Sequence, residues 1–111
     1  MTNLFEAVRK IAKENPEGFT VKIPNLEWVT DGFVVAYFET QNCFGDEGLR
    51  KVLEHAEQHD KIVGGWLNEE NLQFYFDSSK VFTSMKEAIE FGRKNKQISI
   101  FDLNTFTEIR L

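Results

Sequence analysis

The chain has 111 residues, room for one domain. Thirteen basic against eighteen acidic side chains leave a net charge of −5 and a pI near 5.0. That balance speaks against binding nucleic acid or an anionic membrane surface, both of which draw on Lys and Arg. The hydrophobic fraction of 41% with 14% aromatics is too apolar for a disordered chain and too mixed for a coiled coil. No apolar run approaches the ~18 residues of a membrane span. The first thirteen residues carry Glu6 and hold no unbroken apolar core, so no secretory signal is expected. A single cysteine, Cys43, forbids an intrachain disulfide and favours a reducing compartment; the expected location is cytoplasmic.

Residues 3–14 read as an amphipathic helix, with Asn3 and Glu6 as a capping box and Leu4, Val8, Ile11 and Ala12 at helical spacing. Pro16 and Gly18 end it. β-formers dominate residues 19–23, 26–29 and 33–38, and Asp31-Gly32 between the last two runs predicts a hairpin turn. A second helix is expected over residues 46–59, facing inward through Leu49, Val52, Leu53 and Ala56. Strands follow at 62–67 and 72–77, joined by residues 68–71. Ser84 and Glu87 form another capping box and open a third helix running to about Asn95. Residues 97–103 and 105–111 read as a closing hairpin.

One signal is specific: an internal repeat. A shift of 38 lays Trp28 on Trp66, Tyr37 on Tyr75, Phe38 on Phe76, Glu39 on Asp77, Thr40 on Ser78 and Phe44 on Phe82. A shift of 36 then carries the helical positions, with His55 on Phe91 and His59 on Asn95. The predicted fold is therefore α+β. It has an N-terminal helix, two hairpin–helix (ββα) repeats and a closing hairpin, in one sheet with helices mainly on one face. Alternation assigns Val34, Ala36, Phe38, Leu72, Phe74 and Phe76 to the helix-covered face. Val35, Tyr37, Glu39, Gln73, Tyr75 and Asp77 fall on the other. The alternative is a ferredoxin-like βαββαβ core over residues 33–103, which the Asp31-Gly32 turn disfavours by drawing residues 26–29 beside 33–37.

Candidate chemistry is sparse. His55 and His59 are four apart on a helix, a spacing that lets two imidazoles reach one zinc. The metalloprotease motif needs Glu directly after the first His, and Ala56 stands there. A third ligand would have to come from Cys43 or an acid elsewhere, so no metal site and no cofactor are expected. Cys43 falls on Val81 in the repeat and reads as a buried filler rather than a nucleophile. Glu39 and Asp77 could form a carboxylate pair for a metal or acid–base work, but each precedes a hydroxyl residue and reads more simply as ordering its loop. Gly64-Gly65 lacks the helix and Lys of a phosphate loop and reads as room beside Trp66. Tyr37 and Tyr75 suggest a base-stacking platform, but their neighbours are acidic.

The stretches Gly64–Leu67, Phe74–Ser78 and Ile100–Leu103 resemble a group of short uncharacterised bacterial proteins of gut Bacteroidetes and their mobile elements. The resemblance implies a small intracellular protein and brings no activity, ligand or site with it. The expected function is a non-catalytic interaction module or small regulator. Its aromatic–polar sheet face, with Tyr37, Tyr75, Trp66, Glu39 and Asp77, would meet a protein partner or a second copy of the chain. A small-ligand-binding domain on the same face is the alternative, and a metal-dependent hydrolase stands behind both.

Overall fold

In the computed structural model, which describes residues 3–111, the chain opens with helix α1 (Leu4–Glu14). Asn3 Oδ1 accepts from the Glu6 amide at 3.4 Å, a cap of the kind that stabilises a helix by about 1 kcal/mol. Asn15 closes the other end, its side-chain amide donating to the Ile11 carbonyl at 2.9 Å. Strands β1 (Phe19–Lys22), β2 (Glu27–Trp28) and β3 (Phe33–Ala36) follow. A 3-10 turn (Phe38–Thr40) and the short β4 (Cys43–Phe44) lead into helix α2 (Gly45–Glu57). The remaining elements are β5 (Ile62–Asn68), β6 (Gln73–Phe82), α3 (Met85–Lys94), β7 (Ser99–Asp102) and β8 (Thr107–Arg110). Ser84 caps α3 by accepting from the Glu87 amide at 3.3 Å.

All eight strands join one antiparallel sheet in the order β2-β1-β5-β6-β3-β7-β8, with β4 paired to β6 beyond the end of β3. The class is α+β with an N-terminal helix. The stretch β3–α2–β5–β6–α3–β7 has the βαββαβ order, with β6 and β3 side by side at the centre and β5 and β7 outside them. The hairpin β1–β2 extends the sheet beyond β5, and β8 extends it beyond β7.

The helices share one face. Under α1 and α2, Val8, Ala12, Leu49, Val52 and Ala56 pack on Phe19, Val21, Val63 and Phe76. Under α3, Ala88 packs on Val35 and Ile100, with Phe33, Phe82 and Ile109 around them. Leu49, Val52, Val21, Val63 and Val35 are fully buried, and each such side chain is worth about 1.5–3 kcal/mol of burial. The N-terminal helix thus continues the helical layer and leaves the far side of the sheet uncovered.

Three expectations are corrected. The first concerns Asp31-Gly32, which makes no hairpin: β2 pairs with β1, through Val21 with Trp28 and Lys22 with Glu27. Gly32 has φ +97, and a Cβ there would lie 2.7 Å from Val81 Cγ1. Its amide donates to Asn104 Oδ1 at 3.3 Å. Close approach, not a turn, requires this glycine. The first repeat segment runs β2, β3, 3-10 turn, β4 and α2, whereas the second runs β5, β6 and α3 and begins with a hairpin, so the two do not share one element order.

The second correction concerns β3, whose faces are reversed. Val35 lies under α3, while Val34 and Ala36 line the uncovered side. Residues 33–38 are apolar at every position, so alternation carries no direction there. The antiparallel register instead pairs Val35 with Lys80 and Ala36 with Ser79. Tyr37 follows Val35 to the helix side, apart from Tyr75. Finally, Leu72 and Phe38, assigned to the buried face, are 76% and 48% exposed. Leu72 belongs to a hairpin loop rather than a strand.

The three true hairpins share one loop design. Lys22 pairs with Glu27, Asn68 with Gln73 and Asp102 with Thr107, each across four residues. The last loop residue has positive φ in every case: Leu26 (61°), Leu72 (59°) and Phe106 (59°). Asn68 and Asp102 each accept from the amide two residues on, at 3.0 and 2.9 Å, which starts the turn.

Candidate functional site: a cavity on the uncovered sheet face

Alternation along β6 sends Tyr75, Asp77 and Ser79 to the uncovered face and Phe76 and Ser78 to the helices. Trp66 stands opposite Tyr75, Gly64 opposite Asp77, and Ala36 opposite Ser79. The result is a cavity of about 630 Å³, inside the range of small-molecule sites. Asp77, Ser79 and Gly64 line it together with Trp66, Phe101 and Phe106. The chain's two tryptophans, Trp28 and Trp66, both border it. Glu17 and Glu108 add carboxylates, and no Lys, Arg or His is among the lining residues.

Two glycines shape this floor in opposite directions. A Cβ at Gly64 would lie 3.2 Å from Asp77 Oδ1, so its missing side chain leaves the space beside the carboxyl. A Cβ at Gly65 would instead strike Phe74 and Phe19 at 2.7 and 2.8 Å on the helix side. The close neighbours of these glycines are Asp77 and Phe19 on one side and Phe74 and Phe19 on the other.

Asp77 is half-buried. Its hydrogen-bond partner among the described residues is the Ser79 hydroxyl, which donates to Oδ1 at 2.5 Å. Desolvation pushes the carboxyl above the ordinary carboxylate range, against the smaller opposing effect of the Ser79 bond. A desolvated carboxyl lining an aromatic cleft makes this a candidate site.

Of the five expected site residues, the structure brings together three. Trp66 and Asp77 line the cavity, and Tyr75 stacks on Trp66 with ring centroids 5.5 Å apart. Phe44 continues the row against Tyr75 at 5.4 Å. Tyr37 and Glu39 lie on the helix side. The Tyr37 ring contacts His55, His59 and Phe91, and its hydroxyl donates to Asp60. Burial, then the Asp60 carboxylate, holds the phenol above its ordinary value. Glu39 meets His55 Nε2 at 2.8 Å, so Glu39 and Asp77 are not a carboxylate pair.

Glu39, His55 and Ser78 form a hydrogen-bonded chain, with His55 Nδ1 2.8 Å from Ser78 Oγ. It has the residue types of a nucleophilic triad. Ser78 is fully buried, which keeps its hydroxyl from any substrate. Cys43 is buried at 6% exposure, and desolvation raises its thiol above the ordinary value.

Sequence reasoning missed Ser79, Phe101 and Phe106 at the cavity and Asn95 beneath the 3-10 turn. Only pairing register places them, and no local motif carries it. Among the described residues no helix is long and apolar enough to cross a membrane. Comparison with known families, curated proteins and solved structures finds no match to the chain.

Proposed function

We propose that this domain binds a small ring-bearing organic cation, such as an aromatic amine, in the cavity on the uncovered face of its sheet. The observation that carries the reading is the placement of Asp77, together with Glu17 and Glu108, on an aromatic-lined cavity; desolvation favours the neutral Asp77 carboxyl, and a bound cation would offset that cost. The lining includes the rings of Trp66, Phe101 and Phe106, residue types against which a cation is favourably placed. The carboxylates of Glu17 and Glu108 and the lack of any basic lining residue disfavour phosphates and other anions.

Both tryptophans border the cavity, so their fluorescence reports its occupancy directly. A panel of cationic, neutral and anionic ring compounds is titrated into wild type and Asp77→Asn. The expected result is saturable quenching by cations that Asp77→Asn weakens. Preference for anions, or cation binding unchanged by Asp77→Asn, refutes the reading.

A second reading rests on the exposed row Phe44, Tyr75 and Trp66, with Phe44 and Trp66 each 47% exposed. An aromatic row of this kind suits a protein partner or a second copy of the chain. Sedimentation of wild type against Tyr75→Ser tests the second copy: a monomer at all concentrations removes it.

A further inference from the structure

On the helix side of β6, Glu39, His55 and His59 present one ligand atom each within 4.8 Å of one another. We propose that these three residues form a site for a divalent transition metal of the zinc class, with one coordination position open to solvent. The proposal is independent of the cavity on the other face.

Three observations carry it. First, the expected obstacle is gone: the missing third ligand is supplied by Glu39, from the 3-10 turn rather than from the helix of the two histidines. Two imidazoles and a carboxylate are a ligand set of open zinc sites. Second, the Nδ1 atom of each histidine has a partner that could serve as an outer shell. His59 Nδ1 donates to the His55 carbonyl at 2.7 Å, which leaves its Nε2 lone pair free, with no partner among the described residues. His55 Nδ1 meets the buried Ser78 hydroxyl at 2.8 Å. In the metal-free arrangement His55 Nε2 donates to Glu39 Oε1 at 2.8 Å and Nδ1 accepts from Ser78 Oγ; an ion would replace the Nε2 proton, with Ser78 Oγ then turning to accept from Nδ1. Such second partners fix the tautomer and ring angle of metal-binding histidines. The rings stack with centroids 3.8 Å apart and planes within 4°, so both rings must turn out of the stack before their Nε2 lone pairs converge on one ion.

Third, the turn that carries Glu39 is anchored on both sides of it. The Phe38 amide donates to Asn95 Oδ1 at 3.0 Å, and Thr40 Oγ1 accepts from the Ser78 amide at 3.1 Å. The backbone at Glu39 is therefore held, although the carboxylate itself is 57% exposed and accessible to an ion from solution. Nitrogen and carboxylate donors without a thiolate suit zinc, cobalt, nickel or copper over calcium or magnesium.

The test is calorimetric titration with Zn²⁺ and absorption spectroscopy with Co²⁺, on wild type, His59→Ala and Glu39→Gln. Both substituted positions are exposed, and circular dichroism confirms that each variant is folded. A third measurement needs no variant: the imidazole nitrogen shifts of wild type with and without Zn²⁺. We expect one equivalent of metal, cobalt d–d bands of low coordination number, and Nε2 shifts at both histidines. Each substitution should weaken binding by at least about tenfold, as even outer-shell losses do. Sub-stoichiometric binding in wild type, a smaller loss in either variant, or Nε2 shifts at neither histidine overturns the proposal. The second of these outcomes marks adventitious coordination by surface groups.

Discussion

Gly64 and Gly65 are neighbours on β5, and the same substitution at each should act on different properties. At Gly65 an added Cβ would sit 2.7 Å from Phe74 Cε1, 2.8 Å from Phe19 Cε1 and 2.9 Å from the Tyr75 carbonyl oxygen. These separations fall roughly 0.6–0.8 Å inside the ~3.5 Å where carbon contacts become comfortable. Phe74 is half-buried and can turn aside. Phe19 is packed in the core, and the carbonyl belongs to the β5–β6 ladder itself, so relief requires the sheet to move. Overpacking of this kind costs about 1–3 kcal/mol, and two unyielding contacts put Gly65→Ala at the upper end, about 2–3 kcal/mol. At Gly64 the nearest atoms are Asp77 Oδ1 and the Phe19 carbonyl oxygen, both at 3.2 Å. A shift of a few tenths of an ångström there is cheap, at about 1 kcal/mol or less, but the methyl occupies the space beside the cavity carboxyl. Urea denaturation gives the stability difference, and tryptophan fluorescence with an amine titrant follows the cavity. Gly65→Ala should lose midpoint stability and keep any ligand response. Gly64→Ala should keep stability and lose the response. A Gly65→Ala variant within about 0.5 kcal/mol of wild type, or one more stable than Gly64→Ala, would refute the assignment of the two glycines to opposite faces.

Leu72→Gly should stabilise the protein by about 0.5–1 kcal/mol, because Leu72 is 76% exposed and held at φ 59°, where a side chain costs energy and glycine does not; a loss in urea denaturation would contradict this. Asp77→Asn should raise stability at neutral pH. The folded state pushes this carboxyl above its unfolded value, so wild type loses stability as pH rises from the unfolded pKa through the folded one. The advantage of the variant should therefore grow from pH 4 to pH 7.5, and an advantage that shrinks over that range would reverse the sign. Cys43→Val should cost on the order of 1 kcal/mol or less, and the native thiol should resist a soluble maleimide; rapid labelling before unfolding would show it accessible.

Helices were the most legible part of the sequence because their signals are local. Asn3 and Ser84 cap where expected, and the apolar spacing of Val8, Ala12, Leu49 and Val52 matches the buried faces. Strand existence was legible too, while partners were not. Asp31-Gly32 has turn composition, yet Gly32 is a close-approach residue wedged beside Val81. The working hairpin signal was Asn25-Leu26, Asn71-Leu72 and Thr105-Phe106, where a large apolar residue takes positive φ against its own preference. Propensity alone argues against that conformation. At the cavity, Tyr75 and Asp77 could be grouped because they alternate on β6, while Trp66 joins them only through its pairing with Tyr75 and Tyr37 lies elsewhere because β3 is apolar on both faces. The Glu39–His55–His59 cluster was half visible: the i, i+4 histidines show in the sequence, and the acid sixteen residues before His55 becomes their neighbour only through the 3-10 turn.

Asp77 and Ser78 are consecutive on one strand, the first facing the cavity and the second touching His55. The two sites are thus separated by the thickness of a single peptide plane and share no loop that could absorb a change in length. Substitutions can retune either site alone, since each side chain answers to its own face. Insertion or deletion of one residue between Tyr75 and Ser78 cannot, because it rotates every later position of β6 to the other side. Serine would then meet the aromatic cleft and a carboxylate would be driven against the helices. For this strand, variation in residue type is admissible and variation in length is not, and a library of single-residue deletions scored for folding should show its sharpest trough there.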